Sequence, residues 1–131
     1  MEKEFIPYAE ALALKELGFD EPCIATYRQW DGGEPYLHLD TDIEADNFTI
    51  ECDAPLYQQA FRWFREKYSN IEFSLPLKKQ KDLGIFWGGF IQTENDNFGK
   101  SYGSNFKTYE EAELECLKKL IEIVKNRNNG K

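Results

Sequence analysis

One stretch of twelve residues narrows the folds open to this chain more than any other. Tyr57, Ala60, Phe61, Phe64 and Tyr68 recur at helical spacing, flanked by Leu56 and Trp63, while Gln58, Arg62, Arg65 and Glu66 take the opposite side. An apolar stripe of this period specifies an amphipathic helix laid on a core. The segments on either side of it have a different character. Upstream, 23–30, 36–39 and 48–52 read as strands, with Asp31-Gly32-Gly33-Glu34 as the turn between the first two. Downstream, Ile71, Phe73, Leu75 and Leu77 alternate with Glu72, Ser74 and Pro76, the period of a half-buried strand. A helix set between two groups of strands predicts an α+β domain.

Two further helices close the scheme. The first runs from Pro7, at the favoured first helical position, to about Leu17. Gly18 suits the left-handed C′ position, Phe19 supplies the apolar residue of a Schellman stop, and Pro22 forbids a return to helix. Its circumference is apolar except for Glu10, Lys15 and Glu16, which predicts packing on more than one side. The central helix starts at Asp53, or at Ala54 with Pro55 as its first residue, and Asn70 stops it. The last helix begins at Thr108, which forms a capping box with Glu111, and buries Ala112, Cys116, Leu117, Leu120, Ile121 and Val124. Residues 126–131 read as a frayed tail.

Between the last two helices, Pro76 places its strand at an edge, and Lys78-Lys79-Gln80-Lys81-Asp82 reads as a charged turn. Residues 83–92 form the next strand, with Ile85, Trp87 and Ile91 on one face and Phe86 and Phe90 on the other. Residues 94–99 turn the chain into a third strand at 100–106. The expected architecture is antiparallel strands packed against three helices, in the order α-β-β-β-α-β-β-β-α. It forms a single domain over 1–131, with a subdivision into an acidic α-β-β-β part (1–54) and an α-β-β-β-α part (55–127).

A chain of 131 residues with 41% apolar content and 20 aromatic rings has material for a core that needs neither disulfide nor metal. No apolar run approaches the ~20 residues of a membrane span. The start, Met1-Glu2-Lys3-Glu4-Phe5-Ile6-Pro7, has neither the basic nor the apolar region of a signal peptide. Cys23, Cys52 and Cys116 are odd in number and widely spaced, as in a reducing compartment. The expectation is a cytoplasmic chain. Its net charge of −8 is unevenly spread. Residues 1–54 hold 3 bases and 14 acids, whereas 55–131 hold 13 bases and 10 acids. This asymmetry solubilises the surface or offers an acidic face to a basic partner.

Little in the chain points to catalysis. His38 is the sole histidine, mid-strand between Leu37 and Leu39, and reads as exposed or hydrogen-bonded rather than catalytic. There is no Cys-x-x-Cys pair and no glycine-rich loop leading into a helix. Asp40, Asp42, Glu44 and Glu51 match positions 1, 3, 5 and 12 of a calcium loop, but Ala45 replaces the required glycine. A looser divalent site would use Asp40, Asp42 and Asp46. A solvated acidic loop is the preferred reading of 40–51. Phe86-Trp87-Gly88-Gly89-Phe90 suggests a base-stacking platform or a two-sided core, and core is preferred. Catalytic, cofactor and metal residues are therefore expected to be none.

Two resemblances add to this reading. Residues 55–126 resemble a double-stranded-RNA-binding domain in element order, and Thr108-Tyr109-Glu110-Glu111-Ala112-Glu113 lies where that family carries a lysine-rich motif. Here the three lysine positions are Tyr109, Glu110 and Glu113. The resemblance thus implies the fold without the phosphate contacts. The second covers most of the chain. Phe5-Ile6-Pro7-Tyr8, the run from Leu14 to Cys23, the run from Ala54 to Arg65, and Tyr109-Glu110-Glu111-Ala112-Glu113 resemble a family of small uncharacterised proteins encoded in phages and prophages of gut anaerobes. That resemblance implies a mobile-element setting. The expected function is a non-catalytic, phage- or prophage-associated protein-interaction domain whose protein partner is unknown, a basic one being the sharper reading of the charge. The alternative is a nucleic-acid-linked role, through weak binding by the basic part or mimicry of DNA charge by the acidic part.

Overall fold

The computed structural model describes residues 2–30, 32–40, 48–81, 84–94 and 100–129. Among them are three helices and two antiparallel sheets, an α+β fold. The chain divides into two compact units, Met1–Gln59 and Ala60–Lys131, with the boundary inside the central helix.

In the first unit, α1 (Tyr8–Glu16) is followed by β1 (Ala25–Trp30), β2 (Tyr36–Leu39) and β3 (Phe48–Asp53). The helix stops as its sequence demands. Gly18 takes φ 100°, Phe19 N–H donates to Leu14 O and Gly18 N–H to Lys15 O, with Leu14 and Phe19 both buried. Pro7 lies one position earlier than expected. It is the N-cap, with extended ψ of 158°, because its carbonyl accepts the first helical bond from Ala11. The sheet order is β2-β1-β3. Ala25 and Tyr27 face a core made with Phe5, Ala54, Leu37, Leu39 and Leu56. Tyr27 donates its hydroxyl to Ile6 O at 2.7 Å, which pins the amino-terminal segment to the sheet.

The central helix, α2 (Tyr57–Lys67), starts later than the proline suggests. Pro55 O accepts from Ile6 N–H and Leu56 bridges Phe5, so 54–56 run extended beside the amino-terminal segment. Gln59 supplies half a capping box. Its Oε1 accepts from Leu56 N–H, while its Nε2 donates to Pro22 O.

In the second unit, Phe61 and Phe64 are almost wholly buried, and Arg62, Arg65 and Glu66 are exposed, as the helical period requires. Four strands follow: β4 (Glu72–Phe73), β5 (Leu77–Lys81), β6 (Gly84–Gln92) and β7 (Lys100–Phe106). The lysine-rich segment expected to be a turn is a strand. Ile91 pairs with both Phe73 and Lys100, and Trp87 with both Lys78 and Phe106. Therefore β4 and β5 lie end to end along one edge of β6, and β7 takes the other. Ser74, in the break, still donates its N–H to Phe90 O and accepts Phe90 N–H on its hydroxyl. Pro76 has no N–H for the ladder, and the strand re-forms just beyond it.

Finally, α3 (Tyr109–Asn129) begins with Thr108 Oγ1 accepting from Glu111 N–H at 3.1 Å and buries the whole expected stripe. It also runs through the segment expected to fray. Arg127 pairs with Glu94 at 2.8 Å, and Asn70 donates to the second oxygen of the same carboxylate at 2.6 Å.

Candidate functional site

The sequence's candidates for chemistry scatter when placed on the fold. His38 is 6% exposed, and among the described residues neither ring nitrogen has a hydrogen-bond partner. This corrects the expectation of an exposed or bonded histidine. Register places it opposite Thr26, whose hydroxyl already accepts from Arg28 Nε at 2.8 Å. Asp40 is exposed, with its N–H on Ile24 O, and Glu51 belongs to β3, its carbonyl taken by Lys15 Nζ at 3.0 Å. Asp42, Glu44, Ala45 and Asp46 lie outside the described residues. Among those described, no three of His, Cys, Asp and Glu cluster as metal ligands.

The thiols sit where they are poor nucleophiles. Cys23, Cys52 and Cys116 are free. Burial pushes Cys23 up to about 12, helped by the nearby Asp53 and Glu21 carboxylates. Burial likewise lifts Cys116 to about 12 and Cys52 to about 11. Cys52 borders an open cleft of about 300 Å³ between α1 and β3, shared with Ala11, Lys15 and Phe19. A thiol held protonated at neutral pH offers little to a substrate there.

What the fold does assemble is surface. In the first sheet, Trp30 pairs with Phe48 and Arg28 with Ile50, so all four share the face opposite the Ala25–Tyr27 core. Arg28 is buried, its guanidinium 4.3 Å from the Phe48 ring centroid. Trp30 and Ile50 are 55% and 53% exposed. An extra residue on β3 at the Tyr27/Arg28 register shift brings Ile50 opposite Arg28. Exposed Glu34, Asp40 and Asp53 belong to the same unit.

The second sheet separates its two faces differently. On the helix side, Trp87 meets Tyr109 edge-on at 5.4 Å. Tyr102 crosses Gly89 to donate its hydroxyl to Ser74 O at 2.8 Å, and Cys116 Sγ approaches the same carbonyl. On the other face, Lys79 lies opposite Phe86 and Leu77 opposite Gly88, with Phe90 beyond. Leu77 is 52% and Phe90 42% exposed, and Lys79 is exposed too. The expectation of a two-sided core at Phe86–Phe90 therefore holds for the helix side alone. Phe90 is surface because α3 packs on the opposite face of β6.

At the head of α3, Tyr109 and Glu113 are half-buried. Tyr109 hydrogen-bonds Glu113, and burial raises the Glu113 carboxyl to about 7. No helix among the described residues is long and apolar enough to cross a membrane. No protein-family model, curated protein or solved structure matches this chain.

Proposed function

We propose that this chain is a non-catalytic protein-interaction domain of a phage or prophage, acting in the cytoplasm on a basic protein partner. The observation that carries this reading is that Trp30 and Ile50, each more than half exposed, share one sheet face of a unit that holds 3 bases and 14 acids. Large apolar side chains within a charged surround are the usual anatomy of a contact patch, and tryptophan is enriched among its energetic anchors. The acidic surround draws a basic partner and repels an acidic one. The resemblance of the four sequence runs supplies the mobile-element setting.

Capture from a lysate of a gut anaerobe, run side by side with wild type and a Trp30→Ala/Ile50→Ala variant, tests the reading. The variant should lose basic proteins that the wild type retains at low salt. Identical captures from both would remove the face from consideration. A nucleic-acid-linked role is the second reading, favoured by Lys79 opposite Phe86 beside the exposed Phe90.

A further inference from the structure

We infer that the Trp30–Ile50 face of one copy takes the Leu77–Phe90 face of a second copy of this chain, giving head-to-tail association. The inference rests on the reading of the Trp30 face as a docking surface, and names one partner for it. Each face has the same construction with opposite sign. Trp30 and Ile50 expose about half their surface in a unit of 3 bases and 14 acids. Leu77 and Phe90 do the same on the face that carries Lys79, in a unit of 13 bases and 10 acids. Within β5, Leu77–Lys81, there is no carboxylate.

Charge also selects the pairing mode. A two-fold contact through the Trp30 face would oppose one strongly acidic unit to another, and one through the lysine strand would oppose like cations. Only the unlike pairing is attractive, and it is heterologous, so it closes into a ring or grows. Strand-to-strand addition at β5 is disfavoured by its exposed lysines, which leaves the face rather than the edge as the contact. With so few anchors, the contact falls in the weak class, with a Kd on the order of 10–100 µM. Raising salt from about 50 mM to about 500 mM should weaken it at least tenfold, since its selectivity is electrostatic.

Sedimentation at about 0.5 mM protein in low salt, well above the expected Kd, reads this out. Wild type should exceed the 15.4 kDa of one chain. Trp30→Ala should stay at that mass, and so should Lys79→Glu. Both positions are exposed, and circular dichroism of each variant confirms that it folds. Mixing the two variants is the decisive arm, because each keeps the face the other lacks. The mixture should give a two-chain species that grows no further. A wild type of single-chain mass, or a mixture that fails to pair, overturns the inference. If wild type stays single-chain while Trp30→Ala/Ile50→Ala still loses basic proteins from lysate, self-association falls and the docking face stands. A single-stranded oligothymidine bound more tightly than the second copy, and lost in Phe90→Ala, would assign the lysine face to nucleic acid and likewise overturn it.

Discussion

Replacing Gly89 with alanine puts a methyl group where the Tyr102 ring and the Ser74 hydroxyl already sit. The hypothetical Cβ falls far inside van der Waals contact with Tyr102 Oη, Tyr102 Cζ and Ser74 Oγ. The backbone at Gly89 is not left-handed, so the penalty is steric alone. Relief requires moving the ring, yet Tyr102 is 5% exposed and tied by its hydroxyl to Ser74 O. Overpacking a tight site costs about 1–3 kcal/mol, and a net hydrogen bond lost with the ring's displacement adds about 1 kcal/mol. The expected destabilisation is about 3 kcal/mol. At a urea m-value of about 2 kcal/mol/M, the midpoint falls by about 1.5 M. Tyr102→Phe removes the nearest clashing atom and cuts the tether, so the ring is free to slide. Gly89→Ala should therefore cost less in a Tyr102→Phe background than in wild type. A midpoint for Gly89→Ala within about 0.25 M of wild type would refute the packing argument, since it corresponds to only about 0.5 kcal/mol. Strict additivity of the two substitutions would do the same.

The folded-state carboxyl of Glu113, at about 7, lies above its unfolded value, with burial the largest cause and Glu110 contributing, while the Tyr109 bond opposes the rise. The folded state therefore binds the extra proton between about 4.3 and 7, and stability falls as pH rises through that window. Glu113→Gln should be more stable than wild type at pH 8 by about 1 kcal/mol, discounted because the group is half exposed, and should gain nothing at pH 4. Equal gains at both pH values in urea melts would contradict this. Phe64→Ala should cost about 3–5 kcal/mol and exposed Arg62→Ala close to nothing, and similar small effects from both would mean α2 is not core. The chain should not bind double-stranded RNA specifically in an anisotropy titration at physiological salt, because 108–113 presents carboxylates and a packed tyrosine where phosphates would sit. A Kd tighter than about 1 µM would exceed ordinary non-specific binding and reverse that conclusion.

Those elements whose stability is local were legible in the residues. Leu14, Gly18 and Phe19 spell out the stop of α1, and Thr108 with Glu111 spells out the start of α3. The stripe of α3 was legible in full because 3.6-residue periodicity is strong over a long helix. Where neighbours decide, the residues misled. Leu77–Lys81 is a strand because β6 is long enough to take a second partner beyond the Ser74–Pro76 break. Its side chains from Leu77 to Gln80, all exposed, carry no alternation to announce it. Pro55 suits a helix start, but Phe5 and Ile6 hold that segment extended. The candidate surfaces were half legible. Alternation assigned Phe86 and Phe90 to one face, but not which of the two faces α3 covers. Trp30 and Ile50 looked like ordinary strand residues, because which side chains of a sheet stay exposed is a property of the packing. Tyr102 gave no signal, since its partner Ser74 is 28 residues away.

The carboxylate of Glu94 bears on timescale as well as structure. By holding Asn70 just beyond α2 and Arg127 in the last turn of α3, it joins segments far apart in the chain at the point where a terminal helix would ordinarily open first. Amide hydrogens in the final turns of α3 should then exchange with deuterium on the schedule of the helix centre, as one cooperative unit. Glu94→Ala would release them to fast local opening while the buried residues from Ala112 to Leu120 stay protected. Exchange rates at the end of α3 that are already fast in wild type would show that this ion pair does not clasp the helix.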